Sequence, residues 1–153
     1  MGESADILRC AVERLQSCSR EPILRSSLWR TSPVDCPPDS RSFLNAAVGF
    51  TPLVGETPET LLQKLKALEI EFGRQPKMIL NEARPLDLDL IAFGKKTCST
   101  SELILPHPRA HLRRFVLEPL KEIAPDLVLP GQTRSVSQLL PELKTNESVL
   151  RVT

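Results

Sequence analysis

A mixed fold of helices and strands, α/β in the broad α+β sense, is predicted by three stretches of the sequence. Arg84-Pro85-Leu86-Asp87-Leu88-Asp89-Leu90-Ile91 alternates leucine with aspartate, the period of two expected of a half-buried strand. Phe43 to Thr51 reads as a second strand, with Leu44, Ala46, Val48 and Phe50 on an apolar face and Phe43, Asn45, Ala47 and Gly49 on the other. Between them, Thr57-Pro58-Glu59 opens a helix: a capping threonine, a proline at the first helical position and an acid in the first turn.

The remaining elements follow in order. Ile7, Leu8, Ala11, Val12 and Leu15 recur at helical spacing close to the start, with Ser4 as the expected N-cap. Ile23 to Arg30 is expected to be a strand, and the proline-rich stretch from Thr31 to Asp39 a loop. The helix opened by Thr57 carries an apolar stripe of Leu61, Leu62, Leu65, Leu68 and Phe72, and Gly73 can end it. Arg74 to Ala83 has no clear period. It delivers Arg84, which Pro85 forces into an extended conformation. Gly94-Lys95-Lys96 reads as a turn, Phe115 to Ile123 as a helix stopped by Ala124-Pro125, and Ser135 to Leu140 as a short last helix. Residues 1–143 are expected to form one domain and 144–153 a loosely held tail.

Composition narrows the function classes. Of 153 residues, 41% are hydrophobic and 25% charged, as in a folded globular chain. The net charge of +1 argues against a general nucleic-acid or membrane footprint, so any anion site must be local. No apolar run approaches the ~20 residues of a membrane span. Cys10, Cys18, Cys36 and Cys98 lack zinc-like spacing, which suggests reduced thiols and a cytoplasmic protein.

The alternating stretch carries the chemistry. It places Asp87 and Asp89 on one face, with Cα atoms roughly 6.5–7 Å apart. Hard divalent cations take carboxylate oxygens, and Mg²⁺ takes its other ligands from water and substrate phosphates. Two metals about 4 Å apart would fit such a pair. A solvated acidic face is the plain alternative. Arg74 and Lys77 in the preceding segment, with Arg84 at its end, suit phosphate contact. His107, beside Arg109, Arg113 and Arg114, suits donation to a phosphate oxygen, whereas His107 and His111 lack the intervening glutamate of a zinc helix. An exposed Phe43 near Asn45 offers a flat heterocycle a stacking surface and an amide. No P-loop and no G-x-G-x-x-G is present, so nucleotide phosphates would be held by arginines and metal.

Read together, these segments resemble the hydroxymethyldihydropterin pyrophosphokinase family of folate biosynthesis. The matching stretches are Arg30-Thr31-Ser32-Pro33, Phe43-Leu44-Asn45-Ala46-Ala47-Val48, Gly73-Arg74, Arg84 to Ile91, Pro106-His107-Pro108-Arg109 and Glu118 to Pro125. The resemblance implies a ferredoxin-like, antiparallel-rich sheet flanked by helices in three α/β/α layers. It implies transfer of pyrophosphate from ATP to the pterin hydroxymethyl group, releasing AMP. By position, Asp87 and Asp89 would hold two Mg²⁺ ions, and Arg74 and Arg84 would neutralise charge during transfer. Glu69, Arg84, His107 and Arg113 would lie on the ATP side. Phe43 and Phe115 would sandwich the pterin while Asn45, Thr31 and Val34 read its edge. The implied partners are these two small molecules, with no nucleic acid, no membrane and a monomeric chain.

Two departures from the family pattern stand out. Family members open with a strand and a Gly-Ser-Asn loop, so Met1 is expected to be an internal methionine. Asn81 stands where some relatives place Trp or Arg over the active site. Two other readings compete: a nucleotide-sugar transferase using its Asp-x-Asp for metal, and a non-catalytic remnant that binds pterin or nucleotide.

Overall fold

The computed structural model describes residues 2–32, 43–73, 86–145 and 148–152. These residues mix helices with short, uniformly antiparallel strand pairs, which bears out the broad α+β class. The chain divides into two compact units. The first comprises Met1–Ile23 and Phe50–Leu90, the second Leu24–Gly49 and Ile91–Thr153.

The first unit is built on two helices, α1 (Gly2–Leu15) and α2 (Pro58–Glu71). Ala11, Val12 and Leu15 are the buried positions of α1. The helix begins at Gly2, so Ser4 lies inside its first turn and is not the cap. A cap must have non-helical backbone, and at Ser4 the helix is already under way. α2 matches its sequence signals. Thr57 Oγ1 accepts from Thr60 N–H at 3.1 Å and Thr60 Oγ1 accepts from Thr57 N–H at 2.9 Å, a reciprocal capping box. Gly73 ends the helix at φ +102°, a left-handed conformation that glycine reaches without steric cost, and its N–H donates to Ile70 C=O. Leu61, Leu65 and Leu68 of the stripe are buried, while Leu62 and Phe72 are half-buried.

The second unit is organised on antiparallel pairs. β1 (Leu24–Arg25) pairs with β4 (Val48–Gly49). A three-stranded sheet follows the order β3-β2-β7, with β2 spanning Trp29–Ser32, β3 Phe43–Asn45 and β7 Ser148–Arg151. β5 (Cys98–Ser99) pairs with β6 (Ile104–Leu105). Two helices complete the unit, α3 (Arg114–Ile123) and α4 (Val136–Leu139). α3 packs on β2, β3, β4 and β7, and Leu117 joins Val136 and Leu140 in a buried cluster. α4 has its own capping box between Ser135 and Gln138.

The strand expectations need three corrections. Ile23 to Arg30 and Phe43 to Thr51 are each broken into two short pieces, because the pairing shifts by one residue between them. Residues 86–91, the described part of the stretch from Arg84 to Ile91 read as the organising strand, make no ladder with any described residue. A strand is a relation between two segments, and alternation reports burial, not pairing. Burial does alternate there: Leu86 is buried, Leu88 and Leu90 are half-buried, and Asp87 and Asp89 are exposed. The expected loose tail instead contributes β7, which pairs with β2 from Trp29↔Arg151 to Ser32↔Ser148.

Candidate functional site

Within the first unit, the acidic stretch is held by a buried carboxylate. Glu69 follows Leu61 and Leu65 at i+8 and i+4, which puts it on the apolar stripe of α2, and it is only 5% exposed. A carboxylate in that position needs hydrogen bonds to offset its lost hydration. Glu69 Oε2 accepts the backbone N–H of Leu88 at 2.7 Å. Leu88 stands between the two aspartates. Its neighbour Leu86 is 2% exposed, so the segment is fixed by a buried leucine and a charged hydrogen bond, leaving Asp87 and Asp89 open to solvent. Two exposed carboxylates two residues apart are hard oxygen donors, and they suit a divalent cation. No group of three His, Cys, Asp or Glu side chains with metal-ligand placement occurs among the described residues. Mg²⁺ is commonly held by only one or two protein carboxylates, with phosphates and water as its other ligands.

Within the second unit, the β2–β3 hairpin groups three expected residues. Thr31 stands opposite Phe43, and Asn45 Nδ2 donates across the strands to Thr31 Oγ1 at 2.7 Å. Phe43 is 62% exposed, an apolar ring presented to solvent. Phe115 is half-buried in the first turn of α3, and the Arg113 guanidinium lies over its ring at 5.8 Å, a cation–π contact. His107 is oriented by its own backbone. Its N–H donates to Ile91 C=O at 2.8 Å, and its Nδ1 accepts from Arg109 N–H at 3.3 Å. With Nδ1 as acceptor, the neutral ring carries its proton on Nε2, which leaves that atom as a donor. Arg74, Arg84, Val34 and Asn81 lie outside the described residues.

Glu122 escaped the sequence reading. It sits in the last turn of α3, where the helix dipole disfavours a negative charge unless it has other partners. It has several. Both carboxylate oxygens accept Ser27 N–H at 3.1 Å, Oε2 also accepts Ser27 Oγ–H at 3.0 Å, and Oε1 accepts Trp29 Nε1–H at 2.5 Å. Burial raises its pKa, but these hydrogen bonds together with the Arg151 charge outweigh that and hold it below the ordinary glutamate value. An acid at the wrong end of a helix was the available signal.

No helix among the described residues is long and apolar enough to cross a membrane. The family model for 7,8-dihydro-6-hydroxymethylpterin-pyrophosphokinase matches residues 1–125. A 2-amino-4-hydroxy-6-hydroxymethyldihydropteridine pyrophosphokinase from Synechocystis sp. is 36% identical over 143 residues, covering 94% of this chain and 71% of that protein. A protein of the same name from Methylorubrum extorquens is 37% identical over 134 residues, covering 87% and 82%. A folate synthesis bifunctional protein from Arabidopsis thaliana is 42% identical over 99 residues, covering 64% of this chain and 20% of that protein.

Proposed function

The chain belongs to the 7,8-dihydro-6-hydroxymethylpterin-pyrophosphokinase family, and we propose that it transfers pyrophosphate from ATP to 6-hydroxymethyl-7,8-dihydropterin in folate biosynthesis. The carrying observation is the family match across residues 1–125, which includes the acidic stretch and the β2–β3 hairpin. In the reaction the pterin hydroxyl oxygen bonds to the β-phosphorus of ATP. The α–β bridging bond breaks, AMP leaves, and the hydroxyl proton is released.

No protein nucleophile is needed, so positioning and charge carry the catalysis. Asp87 and Asp89 are the metal-holding carboxylates; Glu69, expected on the ATP side, is buried and accepts Leu88 N–H, so its role is to fix the residue between them. Asp87 and Asp89 would hold two Mg²⁺ ions, whose charge would offset that of the ATP phosphates. His107 Nε2–H and Arg113 serve phosphate oxygens, and Arg74 and Arg84 balance the charge that develops during transfer. Phe43 and Phe115 stack on the pterin, while Asn45, with Thr31 and Val34, reads its edge. Thr31 already holds the Asn45 amide, so the edge-reading group is oriented before the pterin arrives. A ferredoxin-like, three-layer arrangement and a monomeric cytoplasmic enzyme belong to the same proposal.

The test is AMP release from Mg·ATP with and without 6-hydroxymethyl-7,8-dihydropterin. Pterin-dependent AMP is expected. AMP at the same rate in both, or none from a folded chain that binds neither molecule, overturns the reading.

A further inference from the structure

The hairpin that carries Thr31, Phe43 and Asn45 is not a regular ladder. Leu24↔Gly49 and Arg25↔Val48 are paired in one register, while Trp29↔Asn45, Arg30↔Leu44 and Thr31↔Phe43 are paired in another. Ser26, Ser27 and Leu28 on the first strand therefore stand opposite only Ala46 and Ala47 on the second. This is a β-bulge, one extra residue that shifts the register of everything beyond it.

A bulge strands backbone groups, and here they find partners in side chains and neighbouring strands. Ser26 N–H donates to Ala47 C=O at 2.9 Å, and Ala47 N–H donates to Ser26 Oγ at 2.8 Å. Ser26 Oγ–H donates onward to Ser27 C=O at 2.7 Å, and Leu28 C=O accepts Val152 N–H at 2.7 Å. Ser27 N–H, the donor of the inserted residue, goes to Glu122 on α3. The same carboxylate takes Ser27 Oγ–H and the indole N–H of Trp29, the first residue of the shifted register. One side chain thus holds both the inserted residue and the residue that restarts the ladder.

We propose that Glu122 is a positioning residue for pterin recognition, closing this bulge and fixing the register in which Thr31 faces Phe43 and reaches Asn45. Without the bulge, continued pairing from Arg25↔Val48 would place Trp29 opposite Leu44 and Arg30 opposite Phe43. Thr31 would then move one place along, out of line with Asn45. A one-residue slip also exchanges the two faces of a strand. The inference rests on the reading that this hairpin contacts the pterin, and its structural half stands independently of it.

Two measurements on the full chain test it. Nuclear Overhauser contacts across Thr31↔Phe43 and Trp29↔Asn45, with the Trp29 indole N–H resonance, report the register without any ligand. Calorimetry reports affinity for 6-hydroxymethyl-7,8-dihydropterin in the presence of Mg²⁺ and α,β-methylene ATP, and affinity for that nucleotide alone. Glu122→Ala is expected to lose the cross-strand contacts and to weaken pterin binding roughly tenfold or more, with nucleotide affinity unchanged. Glu122→Gln keeps a carboxamide oxygen as acceptor and is expected to recover most of both. An intact register in Glu122→Ala, or equal loss of pterin and nucleotide affinity, overturns the proposal. If wild-type chain binds no pterin, the functional reading fails, and register loss in Glu122→Ala would still uphold the structural half. Should Glu122→Ala not fold, Trp29→Phe and Ser27→Ala remove single donors; a pterin affinity untouched by both overturns the proposal.

Discussion

Replacing Glu69 by alanine tests whether a buried carboxylate holds the acidic segment in place. The residue is 5% exposed, and its Oε2 lies 2.7 Å from Leu88 N. A hydrogen bond to a charged acceptor contributes about 1.5–3 kcal/mol, and a buried donor left behind pays the desolvation cost in full. Leu88 is half-buried, so water can reach part of what is lost, which places the expected effect near the lower end, ~1.5–2 kcal/mol. Amide exchange converts that to roughly 10–30-fold less protection at Leu88 if the segment opens locally. Denaturant titration reads the same change as a lower midpoint with an unaltered slope. Glu69→Gln retains an oxygen acceptor and should restore most of the protection. Because Leu88 separates Asp87 from Asp89, Glu69→Ala should also weaken Mn²⁺ binding in the presence of nucleotide, measured by electron paramagnetic resonance. Unchanged exchange at Leu88 in Glu69→Ala would refute the positioning argument. Equal damage from Gln and Ala would point instead to a role for the charge itself, such as direct contact with ligand.

Three further outcomes follow from the same geometry. Asp87→Ala and Asp89→Ala should each lower turnover on the order of 10²-fold or more while leaving the melting temperature nearly unmoved, since both side chains are exposed; normal turnover in either excludes that carboxylate from metal binding. Thr57→Ala removes half of the α2 capping box and should cost ~1 kcal/mol, with Thr57→Gly milder, as read by denaturant midpoint. The Glu122 carboxyl has a lowered folded pKa, so its stabilising contribution is present above the unfolded value of 4.5 and is lost as pH falls through the folded one. Below about pH 4.5 the denaturation midpoint of wild type should therefore fall more steeply than that of Glu122→Gln; parallel curves would remove Glu122 from the acid response.

What the sequence disclosed was whatever local chemistry decides. Thr57, Pro58 and Gly73 fix the two ends of α2 because caps and helix stops act within one turn of chain. The burial alternation from Leu86 to Leu90 was legible for the same reason: it is a property of one segment. Pairing was not legible. The Asp-x-Asp stretch makes no ladder with described residues, the hairpin carries a bulge, and the C-terminal residues Ser148–Arg151 find β2 across most of the chain. Each outcome depends on a partner that the segment itself does not name.

The acids at the ends of helices connect the two kinds of information. Glu69 and Glu71 lie near the C-terminus of α2 and Glu122 near that of α3, where the helix dipole opposes negative charge. Each has a compensating partner from elsewhere in the chain. Glu71 pairs with Arg14 of α1, Glu69 takes Leu88 N–H, and Glu122 takes Ser27 and Trp29. The Glu71 pair is exposed on both sides and contributes little, as surface ion pairs do. Glu69 and Glu122 differ because they bind backbone, and backbone is what carries the neighbouring side chains. Glu69 holds the residue between two aspartates, and Glu122 holds the residue that sets the register of Thr31, Phe43 and Asn45. At Glu69 and Glu122, an acid placed against the helix dipole marks a tertiary fastening. Whether the fastening bears on function depends on what its backbone partner positions.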